Sequence, residues 1–228
     1  MPLIVVVGNE KGGAGKTMTA VNLAASAAVA GQSVLLVDTD GHQNTALKWG
    51  TSRATANPDA PPIATVQMQG STLARDLKTI GAAYDLVVVD TAPADSVELR
   101  ACMTIADVFV VPVKPSNFEL WALQNMGQLF MKVRRHNPKL RAVVVASRIQ
   151  RDLRPAAAVA DVEGFIGENA QGLRDSPIVT VYERVAYDRA SGGGLGVAEW
   201  QGSRDRAAQE FALVWDAVKT PPQEELDI

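Results

Sequence analysis

Short apolar runs alternate along the chain with longer segments that have helical periodicity. The runs are rich in Val, Leu and Ile and fall at residues 3–7, 34–38, 63–66, 86–90, 108–113, 142–146 and 178–181. Because consecutive positions are apolar, these runs are typical of strands that are buried on both faces of a parallel sheet. The intervening segments predict helices at residues 15–30, 43–49, 73–80, 97–105, 117–135, 156–168 and 203–218. This alternation predicts an α/β fold with a single doubly wound, mainly parallel sheet and helices on both faces.

The remaining segments and the composition limit the domain organisation. The length of 228 residues favours one domain over residues 1–220, followed by an acidic tail at 221–228. The Pro- and Ala-rich segment 54–62 predicts a surface loop, and the glycine run at 191–197 predicts a flexible surface turn. A net charge of −3 means that any nucleic-acid contact must come from a local basic patch. The single cysteine, the absence of a signal peptide and the lack of a long apolar segment indicate a cytoplasmic protein.

A glycine-rich loop with two lysines follows the first predicted strand and precedes the first predicted helix. Its sequence, GNEKGGAGKT, occupies residues 8–17. In this context, backbone N–H groups at a helix N-terminus can surround phosphate oxygens. Lys16 can reach the terminal phosphates, and the Thr17 hydroxyl can ligate Mg²⁺. The loop therefore predicts a nucleoside triphosphate site, with the nucleotide held by Gly12, Gly13, Ala14, Gly15, Lys16, Thr17 and Met18.

Three aspartates lie at the carboxyl ends of predicted strands, where ligands bind in open α/β sheets. Asp38 and Asp40 close the second run, and Asp90 closes the run at 86–90. Carboxylates at this edge can support Mg²⁺, usually through water, or orient the water that attacks a phosphate. The alternative for Asp40 is that it only caps the following helix.

The early lysine, Lys11, makes the loop resemble the deviant Walker A loop of the ParA/MinD family of P-loop ATPases. The likeness covers nearly the whole chain and is strongest to small ParF-like partition ATPases. The resemblance implies ATP and Mg²⁺ as cofactors, with Thr17, Asp38 and Asp90 at the metal. It also implies that Lys11 reaches the partner subunit's ATP, and it assigns catalytic roles to Lys11, Lys16 and Asp40.

Two positions depart from the family pattern. The second run is followed by Gly41, His42 and Gln43 where many relatives have Pro-Gln, so the roles of His42 and Gln43 stay open. Glu10 stands where the ordinary phosphate loop begins with glycine. A carboxylate aimed at a triphosphate would be repelled, so we expect its side chain to face away from the nucleotide.

The resemblance further implies a homodimer that forms with ATP and binds DNA without sequence preference, on the side away from the nucleotides. A ParB-like or ribbon-helix-helix adaptor would stimulate slow ATP hydrolysis, and the cycle would segregate or position a plasmid, a chromosome or other cargo on the nucleoid. The alternatives are a MipZ-like spatial regulator of cell division and a MinD-like membrane-associated ATPase, although an acidic tail argues against a membrane. The candidate DNA contacts are Arg148, Arg151, Arg184 and Arg189.

Overall fold

The computed structural model describes residues 1–93, 95–150, 155–200 and 205–220. Seven strands form one sheet in the order β3-β2-β4-β1-β5-β6-β7, and every neighbouring pair is parallel. The predicted α/β fold is confirmed, and the sheet is fully parallel rather than mainly so. The strands are β1 (Leu3–Val7), β2 (Val34–Asp38), β3 (Ile63–Gln67), β4 (Leu86–Asp90), β5 (Val108–Val113), β6 (Arg141–Ile149) and β7 (Ile178–Tyr182).

Helices cover both faces of the sheet, and successive side chains of a strand enter opposite cores. In β1, Ile4 and Val6 pack into one cluster with α3 to α6, whereas Val5 and Val7 pack into the other with α1, α2 and α9. Burial on both faces explains why these strands have no polar alternation. The helices are α1 (Lys16–Val29), α2 (Thr45–Ala56), α3 (Leu73–Gly81), α4 (Val97–Met103), α5 (Asn117–Arg134), α6 (Pro155–Asn169), α7 (Val185–Gly192), α8 (Val197–Trp200) and α9 (Arg206–Lys219), with a 3₁₀ turn at Gln171–Leu173.

The glycine run after β7 differs most from the prediction. It joins α7 to α8, neither of which was predicted, and it packs against α1 and α2. Gly194 has φ +74°, and a Cβ there would lie 2.5 Å from the backbone nitrogen of Arg53. The expectation of a flexible surface turn is wrong, because Gly194 and Gly196 are packed closely against α2 and α1 and leave no room for a side chain. The prediction of a loop at residues 54–62 is also wrong over its first three residues, because residues 54–56 form the last turn of α2.

The sheet order brings three strand ends together at one edge. Strand β4 lies between β2 and β1, with Asp38 in register with Asp90 and Val7 in register with the same Asp90. The loops after β1, β2 and β4 therefore converge. Among the described residues, no helix has the length and apolar character needed to cross a membrane. The predicted acidic tail, residues 221–228, lies outside the described residues.

Candidate nucleotide site

The phosphate loop, residues 8–17, has a fixed backbone at the end of β1. Gly13 and Gly15 have φ values of 79° and 98°, in the left-handed region that favours glycine. Asn9 is fully buried, and its Nδ2 donates to the carbonyl oxygen of Pro112 at 2.8 Å, while its Oδ1 accepts from the Lys11 amide at 3.0 Å. The N-terminus of α1 follows at Lys16, so the amides of its first turn and its dipole favour an anion at the loop.

The two lysines of the phosphate loop occupy different environments. Lys16 is 7% exposed, and its Nζ donates to the carbonyl oxygen of Lys11 at 2.8 Å. Lys11, by contrast, is exposed. Lys16 thus points back across its own loop, whereas the Lys11 ammonium is available to another molecule.

Asp90 is the buried carboxylate next to the phosphate loop. Its Oδ2 accepts from the Thr17 hydroxyl at 2.7 Å, and its Oδ1 is buried with no hydrogen-bond partner. Burial raises the pKa of Asp90 to about 7, and the nearby Asp38 and Asp40 act in the same direction, while Thr17 and Lys16 lower it. An unpaired oxygen in a carboxylate with so high a pKa fits a place beside a cation.

The residues fit Mg²⁺ that arrives with a nucleotide better than a free-standing metal centre. Within the described part of the chain, no cluster of three or more His, Cys, Asp or Glu side chains could hold a metal. Mg²⁺ typically keeps several waters and takes one or two protein ligands together with phosphate oxygens. Thr17 and Asp90 would be the residues that hold it.

Asp38 and Asp40 organise the turn after β2. Asp38 is fully buried, and its two oxygens accept from the amides of Asp40 at 2.9 Å and Leu47 at 3.1 Å. Asp40 Oδ1 accepts from the amides of His42 and Gln43, both at 3.0 Å. The capping alternative for Asp40 is wrong, because the N-cap of α2 is Asn44 and the Asp40 carboxylate closes the turn before the helix instead. The metal role of Asp38 and the catalytic role of Asp40 stay predictions.

The phosphate loop forms one wall of a cavity of about 360 Å³. Gln43 lines this cavity and Glu10 does not; the Glu10 carboxylate instead accepts from Nδ2 of Asn125 on α5 at 2.8 Å. The expectation that Glu10 faces away is confirmed. The sequence did not indicate Arg148 as part of this wall. The lining residues are Gly12, Gly13, Gly15, Lys16, Thr17, Met18, Asp40, Gln43, Thr45, Asp90, Thr91, Pro93 and Arg148.

A second cavity of about 450 Å³ adjoins the first, and the two share Thr17, Met18, Thr45 and Arg148. It lies among α1, α2, α7 and the end of β7, and Trp49, Tyr182 and Tyr187 contribute aromatic surface. Together the cavities form one cleft that runs from the phosphate loop past Met18 to the aromatic side chains of the second cavity. That shape suits a ligand with a charged part and a planar apolar part.

The arginines predicted to bind DNA lie in different places. Arg148 lines both cavities, which does not fit a DNA contact on the side away from the nucleotide. Arg184 is ion-paired with Glu210, with Nε 2.9 Å from Oε2, and only 14% of its side chain is exposed. Arg189 on α7 is exposed. Arg151 lies outside the described residues.

Comparison with known proteins agrees with this geometry. Residues 5–190 match the family described as the CobQ/CobB/MinD/ParA nucleotide binding domain. The chain belongs to this family. The ParA/MinD resemblance is thereby confirmed, and the protein is a nucleotide-binding ATPase of the ParA/MinD type.

Individual relatives extend the similarity to nearly the full length. The chain is 35% identical over 211 residues to the maintenance of carboxysome distribution protein A of Gloeobacter kilaueensis, covering 91% of this chain and 89% of that protein. It is 29% identical over 191 residues to the chromosome-partitioning ATPase Soj of Thermus thermophilus, covering 72% and 77%. The solved structure of apo McdA from Cyanothece superposes with a TM-score of 0.76 at 17% identity, covering 96% of this chain and 100% of that one. The predicted class, a ParA-like ATPase that positions cargo, agrees with these relatives.

Proposed function

We propose that this ParA-type ATPase dimerises on Mg²⁺-ATP, binds DNA as the dimer, and positions cargo through cycles of partner-stimulated hydrolysis. The observation that carries this proposal is the contrast between the two lysines of the phosphate loop. Lys16 is buried within its own loop, whereas Lys11 is exposed and directly precedes Gly12, which lines the cavity. One loop can therefore bind the nucleotide of its own subunit and contact the nucleotide of a second one.

The cleft would hold ATP along its length. The triphosphate would occupy the cavity at the phosphate loop, where the amides of residues 13–17 and the Lys16 ammonium supply positive charge. The base and ribose would occupy the adjoining cavity, beyond Met18 and beside Tyr182. Arg148 lines both parts, so we assign it to the nucleotide and not to DNA.

Bound Mg²⁺ would neutralise phosphate charge during in-line transfer to water. Thr17 and Asp90 would hold the ion, and Asp38 would support it indirectly by fixing the turn that carries Asp40. Asp40 borders the same cavity as Lys16 and Gln43, where its carboxylate can orient the attacking water. Its hydrogen bonds to the amides of His42 and Gln43 hold the carboxylate in position for that task.

DNA binding would be a property of the dimer. Arg189 is the described candidate whose exposure suits a phosphate contact, and a dimer presents it twice. A ParB-like or ribbon-helix-helix adaptor on the cargo would trigger hydrolysis and release. The relatives that position carboxysomes or chromosomes support both protein assemblies and DNA as cargo.

DNA co-sedimentation with ATP, with ADP and without nucleotide tests the proposal. We expect binding with Mg²⁺-ATP only, and stronger retention for Asp40→Ala because its dimer does not hydrolyse ATP. Asp59→Ala removes an exposed carboxylate of a surface loop and is the matched control. DNA binding that is the same in all three nucleotide states would contradict the proposed cycle.

A further inference from the structure

The side chain of Glu10 crosses from the phosphate loop to a helix on the other face of the sheet. Its Oε1 accepts from Nδ2 of Asn125 at 2.8 Å, joining residues that are 115 positions apart. Glu10 and Asn125 also line a groove of about 360 Å³ together with Asp95 and Arg100 of the α4 region. The carboxylate therefore has a defined location away from the phosphate cavity.

The backbone on both sides of Lys11 is held at the same time. The Lys11 amide donates to Oδ1 of Asn9, and the Lys11 carbonyl oxygen accepts from Nζ of Lys16. With Glu10 anchored to Asn125, the turn 9–11 is fixed by side chains from the loop itself and from α5. Within this turn Asn9 is buried and Glu10 is partly exposed, whereas Lys11 is exposed.

We propose that Glu10 and Asn125 are positioning residues for the ATP-dependent dimer. Their hydrogen bond keeps a carboxylate away from the triphosphate and fixes the direction in which Lys11 leaves the loop. This inference rests on the proposed role of Lys11 between subunits. Without the bond, Glu10 would be free to approach anionic phosphate, and Lys11 would lose orientation before it meets the partner.

A small set of variants separates these effects. Asn125→Ala removes the donor and releases the carboxylate. Glu10→Gln keeps an acceptor, because its amide oxygen can still receive the Asn125 hydrogen bond. Asn125→Asp places two carboxylates together, and adding Glu10→Gln to it restores a donor–acceptor pair. Gln124→Ala, which removes an exposed amide from the same helix, is the control.

Sedimentation with Mg²⁺ and a nonhydrolysable ATP analogue gives the protein concentration at which half the chains are dimeric. We expect Asn125→Ala to raise that concentration by about three- to tenfold, because each of the two subunits loses one exposed hydrogen bond of modest strength. Asn125→Asp should raise the concentration further. The double variant with Glu10→Gln and Asn125→Asp should return it to within about twofold of wild type. Glu10→Gln alone and Gln124→Ala should leave it unchanged. The affinity for ADP and the melting temperature should be the same in all variants and in wild type. If the hydrogen bond only stabilised the fold, the melting temperature would change.

Two results would overturn the inference in distinguishable ways. Wild type and Asn125→Ala dimerising at the same concentration would refute the positioning role alone. Wild type remaining monomeric with the ATP analogue would refute the proposed dimer and this inference with it.

Discussion

The hydroxyl of Thr17 donates a 2.7 Å hydrogen bond to Oδ2 of Asp90, joining the phosphate loop to the end of β4. The other oxygen of Asp90 is buried without a hydrogen-bond partner. An unpaired buried acceptor destabilises a fold unless function requires it. The cation that we propose to bind beside Thr17 with the nucleotide would give this oxygen a partner.

Asp90 makes the stability of the metal-free protein depend on pH. Its pKa is about 7 in the folded state and ordinarily 3.8. Between these values the folded state binds more protons than the unfolded state, so the carboxylate destabilises the fold increasingly as pH rises through this window.

Asp90→Asn has no carboxylate to ionise at this position, so its folded state should not be destabilised in this way as the pH rises. The difference in the free energy of unfolding between Asp90→Asn and wild type should grow from near zero at about pH 4 to about 4 kcal/mol above pH 7, since each pKa unit corresponds to roughly 1.4 kcal/mol. Urea unfolding in EDTA across this range measures it, and Asp59→Asn, at an exposed site, is the control. A constant difference at all pH values would mean that Asp90 stays ionised in the fold.

Replacing each lysine of the phosphate loop should have a different effect. Lys16→Ala should weaken ADP and ATP binding by about ten- to hundredfold, because it removes a charge-assisted contact to phosphate. Lys11→Ala should bind ADP like wild type and fail to dimerise with a nonhydrolysable ATP analogue. Fluorescent-nucleotide titration and crosslinking measure the two properties. A Lys11→Ala protein that still dimerises would remove the basis for a shared site.

The phosphate loop and the sheet could be predicted because both are encoded locally. Residues 86–90 are apolar at consecutive positions and end in Asp90, which identifies a buried parallel strand and its functional end. Glycine, lysine and threonine within ten residues likewise indicate phosphate binding without knowledge of the rest of the chain.

The features that could not be predicted from the sequence depend on contacts between residues that are distant along the chain. The glycine run alone predicts flexibility, because the sequence does not show that Gly194 packs against Arg53, which is 141 positions away. The sequence likewise predicts that Arg184 is a surface cation, whereas in the structure it forms an ion pair with Glu210. Arg148 enters the nucleotide cleft because it has φ 54° at an irregularity in β6, between Ala146 and Ile149, which no local pattern indicates.

A buried ion pair fastens α2 to α8. Arg53 and Glu199 have side chains that are 4% and 7% exposed, with Nη1 2.8 Å from Oε2 and Nη2 2.5 Å from Oε1. Removing one partner leaves an uncompensated buried charge, so Glu199→Ala should lower the free energy of unfolding by about 3–5 kcal/mol. Asp76→Ala breaks the exposed pair with Arg75 and should change it by less than about 1 kcal/mol. Denaturant unfolding of both variants checks the contrast.

Close packing between α1 and the segment before α8 should make Gly196 intolerant of a side chain. A Cβ at Gly196 would overlap with the Cβ of Ala25. Gly196→Ala should therefore destabilise the fold by about 1–3 kcal/mol, and adding Ala25→Gly should recover part of the loss. Gly192→Ala, whose Cβ would meet nothing within 4 Å, is the control. Equal melting temperatures for the single and double variants would indicate that the segment moves to accept the methyl group.

The exposure of Arg189 and the pairing of Arg184 predict opposite effects on DNA binding and stability. Arg189→Ala should weaken DNA binding by the ATP-bound dimer and reduce the slope of log affinity against log salt by about 2, because a dimer loses two phosphate contacts. Arg184→Ala should leave that slope unchanged and lower the free energy of unfolding by about 1–3 kcal/mol, because it abandons the carboxylate of Glu210. Fluorescence anisotropy at several salt concentrations, paired with urea unfolding, measures both. A lower salt slope for Arg184→Ala with unchanged stability would show that the ion pair opens to receive DNA, since only a freed guanidinium can contact phosphate.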